Sequence, residues 1–142
     1  MTSPPQYLTG MGRAQFLALC EQAGAKPLHA ERLTAHIHRH GITDIAEIPE
    51  LPAPLRTLLA GYAADVPVSR IAEQVSEDGT RKMLLGLPDG RDVETVWIPG
   101  KGRTTQCIST QVGCAVGCTF CLTATAGLTR NLSAAEMVAQ VE

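Results

Sequence analysis

Three of the five cysteines in this chain fall within eight consecutive positions, in the stretch GCAVGCTFC at 113–121. An odd total of five cysteines does not divide into a framework of paired disulfides. Two glycines stand beside these cysteines, which indicates a backbone that wraps closely round something. In a reducing compartment, clustered thiols are more often metal ligands or redox groups than structural bridges. The stretch therefore predicts a loop built round a metal or a redox centre.

The spacing of Cys114, Cys118 and Cys121 is C-x3-C-x2-C, and four explanations compete for it. Incidental thiols would need no flanking glycines. Structural zinc takes four ligands, and the nearest candidates for the fourth are Cys107 and the distant histidines. A thioredoxin-like pair of Cys118 and Cys121 would leave Cys114 without a role. A 4Fe–4S cluster fits best, because thiolates hold such clusters. Three thiolates leave one iron open for an external chelator such as S-adenosylmethionine, through its amino and carboxylate groups.

Composition limits the other choices. The chain has 142 residues, of which 44% are apolar and 18% are charged, as is typical of one globular domain. Its formal charge of -2 gives no positive field over the whole chain, so composition is silent on nucleic-acid binding. The first ten residues lack the basic and apolar regions of a secretory signal, and no apolar run is long enough to span a membrane. These features predict a cytoplasmic protein with no membrane segment.

Three amphipathic helices are predicted in the first part of the chain, at 12–24, 29–41 and 54–64. In the first helix, Phe16, Leu19 and Cys20 recur at helical spacing, which makes Cys20 a core residue by default. Gly41 supplies the C-terminal cap of the second helix. The three segments predict a small helical bundle.

The middle of the chain predicts an antiparallel β meander. The turn signals Asp78-Gly79 and Asp89-Gly90 separate three extended segments, near 68–75, 81–87 and 92–98. A further β-branched run at 104–110 leads into the cysteine stretch, so we expect the cysteines in a loop after a strand.

The end of the chain predicts a helix that begins with a capping box of Ser133 and Glu136 and turns Met137, Val138 and Val141 inward. A strand, a loop and a helix in this order open a parallel α/β sheet or barrel, whose later units would supply the missing neighbours. The expected fold class is therefore α+β, a helical bundle and an antiparallel meander leading into the first βα unit of a truncated α/β barrel. The expected domains are a helical accessory domain at 1–64, a meander at 65–103 and the start of the barrel at 104–142.

Four histidines, His29, His36, His38 and His40, lie within twelve positions of the second predicted helix. His36 and His40 are spaced to bind zinc from one helix face, but no third ligand is obvious. A solvated polar face is the simpler interpretation. A further hypothesis is that these histidines, with Arg32 and Arg39, and a second basic stretch at 101–103, contact RNA phosphates.

A family resemblance adds to this interpretation. The frame TQCISTQVGCAVGCTFCLTATAGLTRNLSAAEMVAQV has an aromatic residue, Phe120, just before its last cysteine. With the segment DVETVWIP and the helical first part, it resembles the N-terminal portion of the RlmN/Cfr family of radical SAM RNA methyltransferases. The resemblance implies a partial TIM-like radical SAM barrel, a 4Fe–4S cluster and S-adenosylmethionine as cofactors. It also implies methylation of adenosine carbon 2 in 23S rRNA, and in many members in tRNA, with carbon 8 as the alternative of the sister family.

Residue roles follow from the same resemblance. Cys114, Cys118 and Cys121 match the cluster ligands, Glu94 matches the proton acceptor, and Cys107 matches a cysteine that can form a disulfide with the methyl-carrying cysteine. That second cysteine and most S-adenosylmethionine-binding residues are expected beyond this chain, so the chain alone should be an inactive fragment. The expected partners are the RNA and an electron donor such as flavodoxin or ferredoxin, and the expected state is a monomer. Leu122 departs from the family pattern, which usually has a small polar residue there. A non-catalytic RNA-binding or metal-binding module remains the alternative from another functional class.

Overall fold

A computed structural model describes residues 6–141 and divides the chain into two compact units between Asp65 and Val66. The first unit is helical, with α1 at Arg13–Gln22, α2 at Leu28–His40 and α3 at Ala53–Leu59. The second unit contains β1 at Ser69–Val75, β2 at Arg81–Gly86, β3 at Asp92–Gly100, β4 at Arg103–Cys107, β5 at Gln111–Gly113, α4 at Leu122–Thr125, β6 at Leu128–Asn131 and α5 at Ala134–Val138. No helix within residues 6–141 is long and apolar enough to cross a membrane.

The helical unit confirms the three predicted helices. Phe16, Leu33 and Leu55, one from each helix, are fully buried in a single apolar core that also contains Cys20. Gly41 ends α2 with a φ of 65°, as its capping role requires.

The third helix is shorter than predicted, because it ends at Leu59 and not near 64. Past the helix the chain turns and then pairs with the start of the described chain: Leu8 N–H donates to the Ala63 carbonyl at 2.9 Å, and Ala63 N–H donates to the Gln6 carbonyl at 3.2 Å. These two bonds use backbone groups that a longer helix would have needed.

The four-stranded sheet has the order β1-β2-β3-β4, with every neighbour antiparallel. It confirms the predicted meander at 68–75, 81–87 and 92–98 and extends it by one strand. The β-branched run predicted to open a βα unit is instead the fourth antiparallel strand, with Cys107 opposite Val96. The reason is local: Lys101 and Gly102 form a two-residue turn, and the φ of 74° at Gly102 closes a tight hairpin onto β3.

A second, two-stranded sheet pairs β5 with β6, also antiparallel. Its strands and the meander share an apolar core made of Leu85, Leu87, Val93, Val112 and Leu132. The capping box of Ser133 and Glu136 is confirmed at the start of α5. Val141 was predicted to face inward, and this was wrong: its side chain is 61% exposed, since the regular helix ends at Val138.

Candidate functional site: a cysteine loop and a neighbouring sheet face

The cysteine loop, residues 114–127, is closed at its base by the small sheet of β5 and β6. Cys114 N–H donates to the Gly127 carbonyl at 3.1 Å, just past the last residue of β5. Gly113 has a φ of 77°, and a Cβ at this position would collide with the backbone oxygen of Gly127. Glycine at 113 therefore allows the two ends of the loop to approach each other.

Backbone N–H groups of the loop approach two of the three sulfur atoms. Val116 N–H donates to the Cys114 sulfur at 3.4 Å. The backbone N–H groups of Ala124, and next those of Thr123, lower the pKa of the Cys121 thiol below its ordinary value. Cys118 is connected to Cys121 by a turn in which its carbonyl accepts the Cys121 N–H at 3.1 Å. All three thiols are partly exposed.

The loop brings the three thiols onto one segment but does not arrange them round a common point. Within residues 6–141, no group of three or more His, Cys, Asp or Glu side chains is arranged to hold a metal ion. The loop is also open to solvent, with the side chains of Phe120 and Leu122 91% and 87% exposed. Three thiolate donors fit the chemistry of an iron–sulfur cluster, and their geometry would have to close round it on binding.

Glu94 and Cys107 project from the same face of the four-stranded sheet. Cys107 lies opposite Val96, and Glu94 is two residues from Val96 on the same strand, so the alternation of side chains places both on one face. Such diagonal neighbours are about 7–8 Å apart. Both side chains are exposed, and Cys107 is the last residue of β4.

Sequence reasoning missed Lys82 on this face. Lys82 on β2 lies opposite Val96, as Cys107 on β4 does from the other edge of β3. The Nζ atom of Lys82 is 3.1 Å from Glu94 Oε1. The two side chains are about half exposed, so this ion pair adds little to stability. The pair gives the predicted proton acceptor a cationic neighbour. Only the strand register could have revealed it, since the two residues are far apart in sequence.

A partly buried network of polar side chains bonds to the backbone of this face. Thr95 Oγ1 donates to the Cys107 carbonyl at 2.9 Å and accepts from Gln106 Nε2 at 2.6 Å. Ser109 Oγ donates to the Glu94 carbonyl at 2.7 Å. Gln140, which follows α5, is bonded to the backbone of Ser109 through both ends of its amide. None of these polar residues was singled out from the sequence, because each makes its bonds with residues distant along the chain.

Arg130 on β6 anchors the base of the cysteine loop. Its guanidinium donates two parallel bonds to the Glu136 carboxylate, at 2.9 and 2.8 Å, and a third to Asp89 Oδ2 at 2.9 Å. The same contacts lower the pKa values of Glu136 and Asp89 and raise that of Arg130. Such forked pairs are geometrically specific as well as strong.

The histidines do not form a metal site in the described residues. His36 Nδ1 is bonded to the Arg32 carbonyl at 2.9 Å, and the rings of His36 and His40 meet edge to face with centroids 5.9 Å apart. His38 Nε2 is bonded to the Met11 carbonyl at 2.7 Å. The proposed contacts of Arg32 and Arg39 with RNA phosphates stay a prediction.

The predicted disulfide has no support in this chain. All five cysteines lie within the described residues, and all five are free thiols. Cys107 is exposed on the sheet, and Cys20 is buried in the helical core, where burial raises the pKa of its thiol.

Comparisons with known proteins agree with the family resemblance, although no protein-family model matches the sequence. The dual-specificity RNA methyltransferase RlmN of Rhodospirillum rubrum is 43% identical over 136 residues, which are 96% of this chain. The corresponding protein of Alkalilimnicola ehrlichii is 43% identical over 133 residues, or 94% of this chain. This chain is homologous to the RlmN methyltransferases. It spans 32% and 37% of the length of these two relatives.

The solved structures agree with this relationship. A crystal structure of a radical SAM methyltransferase from Sphaerobacter thermophilus superposes with a TM-score of 0.76 at 39% identity. The match covers 96% of this chain and 40% of that protein. The α+β arrangement with its antiparallel sheets is thus shared with a radical SAM methyltransferase over almost the whole chain.

Proposed function

We propose that this chain is the part of a radical S-adenosylmethionine RNA methyltransferase that holds the iron–sulfur cluster and the proton acceptor. The observation that carries the proposal is the cysteine loop itself: three thiols on one glycine-closed segment, in a chain 40–43% identical to RlmN proteins over at least 94% of its length. The chain spans about a third of these relatives, so the activity is proposed for a protein of their length.

Cys114, Cys118 and Cys121 would hold a 4Fe–4S cluster and leave one iron for S-adenosylmethionine. The cluster, when bound, supplies the electron that cleaves this cofactor. The backbone amides of Ala124 and Thr123 lower the pKa of the Cys121 thiol and so favour its thiolate, and Val116 N–H donates to the sulfur of Cys114. Thiolates and not thiols are the ligands of iron–sulfur clusters.

Glu94 would accept the proton that leaves the adenine ring, and Cys107 would lie next to it on the same sheet face. The exposed position of Glu94 leaves its carboxylate accessible to a large substrate such as RNA. Lys82 would keep the carboxylate oriented through its 3.1 Å contact. We propose adenosine carbon 2 in 23S rRNA, and in tRNA, as the target, as the family resemblance implies; the relatives are named dual-specificity RNA methyltransferases.

Anaerobic reconstitution with iron and sulfide tests the cluster assignment on this chain. We expect a brown protein with about four irons per chain, whose electron paramagnetic resonance spectrum changes when S-adenosylmethionine is added to the reduced form. Cys118→Ser should lose the cluster. Cys20→Ala, which removes a thiol buried in the helical core, should retain it.

A colourless chain that binds a single zinc ion would refute the cluster assignment and favour a metal-binding module. The target is tested in a protein of the relatives' length. Mass spectrometry of digested RNA should show 2-methyladenosine, and Glu94→Gln should reduce product while the cluster spectrum stays unchanged. Methylation at carbon 8 would overturn the assignment of the target atom.

A further inference from the structure

Two polar side chains near the end of the chain are buried although nothing in the proposed chemistry uses them. Glu136 on α5 is 9% exposed, and Gln140, one turn later, is 4% exposed. Burial of a carboxylate and an amide is unfavourable unless each is fully hydrogen-bonded. We propose that Glu136 and Gln140, here called the α5 clamp, are positioning residues that hold the cysteine loop and the sheet face with Glu94 and Cys107 in one fixed arrangement. The proposal rests on the proposed function.

Glu136 makes the connection to the cysteine loop. Its carboxylate receives the fork of Arg130 at 2.9 and 2.8 Å and the Ser133 N–H at 2.8 Å. Arg130 lies on β6, just after the loop, opposite Val112 on β5, which precedes the loop. The third bond of Arg130, to Asp89, ties the same strand to the turn between β2 and β3. Glu136 therefore fixes the strand that closes the loop.

Gln140 makes the connection to the sheet face. Its Oε1 accepts the Ser109 N–H at 2.8 Å, and its Nε2 donates to the Ser109 carbonyl at 2.8 Å. Ser109 in turn donates its hydroxyl to the carbonyl of Glu94 at 2.7 Å. Ser109 lies two residues after Cys107, so Gln140 holds the segment that joins Cys107 to β5 and also supports the strand of Glu94.

The two halves of the clamp are joined to each other. Gln140 Nε2 also donates to the Glu136 carbonyl at 3.1 Å, and Gln106 Nε2 approaches the Gln140 carbonyl at 3.3 Å. Hydrogen bonds thus connect Asp89 through Arg130 to the Glu136 carboxylate, and the Glu136 carbonyl through Gln140 and Ser109 to the Glu94 carbonyl, so that Glu136 itself joins the two parts. Arg130 and Asp89 are partly exposed, so their ion pair adds little net stability. An attested use of ionic and polar networks is to specify a single arrangement.

Variants of the clamp should loosen the loop without unfolding the unit. Glu136→Gln preserves the shape of the side chain and removes its charge, and Gln140→Leu removes both bonds to Ser109. Glu73→Gln is the matched control, because Glu73 also accepts two arginines, Arg70 and Arg81, in the same unit but has no bond to the loop or to Ser109. The fluorescence of Trp97, the single tryptophan, identifies conditions in which every variant is folded.

The first readout is amide hydrogen exchange in the metal-free chain, at Cys114 N–H and Ser109 N–H. Both clamp variants should exchange at least about tenfold faster at Cys114, and the Glu73→Gln control should not. Wild-type rates at Cys114 in both clamp variants would overturn the proposal. If Gln140→Leu does not fold, the near-isosteric Glu136→Gln decides alone.

The second readout is iron retention by the reconstituted chain against a chelator. Loss of residues that orient metal ligands weakens metal binding by about 10–100-fold, so the clamp variants should release iron at correspondingly lower chelator concentrations than wild type and the control. Unchanged retention with unchanged spectra would refute the clamp. If wild type itself takes up no cluster, the proposed function fails, and the exchange experiment still decides the clamp.

Discussion

The closed base of the cysteine loop makes a quantitative prediction for Gly113→Ala. Two separate effects add at this position. Gly113 has a φ of 77°, and for an alanine this left-handed backbone costs about 1–2 kcal/mol. The new methyl group would also meet the backbone of the opposite loop end, with the Gly127 carbonyl carbon at 3.0 Å and Leu128 Cα at 3.4 Å. Backbone atoms cannot rotate away, so β5 and β6 would have to separate.

The size of the second effect follows from overpacking, which costs about 1–3 kcal/mol when the backbone has to shift. The total expected loss in free energy of unfolding is therefore about 2–5 kcal/mol. Gly90→Ala is the matched control, because Gly90 has a φ of 78° in the same unit but nothing within 4 Å of an added Cβ. The free energy of unfolding of Gly90→Ala should fall only by the cost of the left-handed backbone, about 1–2 kcal/mol.

Urea unfolding followed by the fluorescence of Trp97 on β3 measures both variants in the unit that contains them. The difference between the two midpoints isolates the contact with Gly127. Equal losses for Gly113→Ala and Gly90→Ala would refute the close approach of the loop ends, and with it the closed base of the cysteine loop.

Three further predictions concern other parts of the chain. Leu33→Ala in the helical core should lower the free energy of unfolding by about 2–5 kcal/mol, as measured by the helical circular dichroism signal, while the exposed Leu28→Ala should change it by less than about 0.5 kcal/mol. The folded-state pKa of Glu136 is depressed, so its contribution to stability is present above its ordinary pKa of 4.5 and is lost as pH falls through the lower folded value. Stability measured between neutral pH and about pH 3 should therefore fall less steeply in Glu136→Gln than in wild type, and parallel curves would contradict the contact with Arg130. In the reduced, metal-free chain, Cys121 should be alkylated faster than Cys20 at neutral pH, because the pKa of the first thiol is lowered and that of the second is raised by burial; peptide mass spectrometry measures the order.

Local signals were sufficient to predict most of the regular structure. The helical period of Phe16, Leu19 and Cys20 placed α1, and Gly41 marked the end of α2. The Asp-Gly turns separated β1, β2 and β3 at the right places. Each of these features is decided by residues close together in sequence, which is why periodicity and turn chemistry were enough.

The parts that were wrong or missing depend on distant partners. β5 and β6 have only three and four residues, too few for an alternating pattern, and their pairing is supported by the contacts of Arg130 with Asp89 and Glu136. The run before the cysteines was strand-like in sequence, but its pairing partner was decided by the turn at Gly102. Sequence pattern predicts that a strand exists more readily than it predicts its neighbour.

The residues of the candidate site also fall into two groups, those that a local sequence pattern predicts and those that it does not. The thiol spacing alone was enough to predict Cys114, Cys118 and Cys121 as ligands, because all three thiols lie on one segment. Glu94 and Cys107 came only from the family resemblance, since a single acid or thiol on a strand is not a signal by itself. What the structure adds is the strand register, which places Val96 between Lys82 and Cys107. The side chains of Lys82, Glu94 and Cys107, each from a different strand, therefore lie on one face. The proposed role of Lys82 in orienting Glu94 rests on that register, and no spacing in the sequence could have indicated the contact.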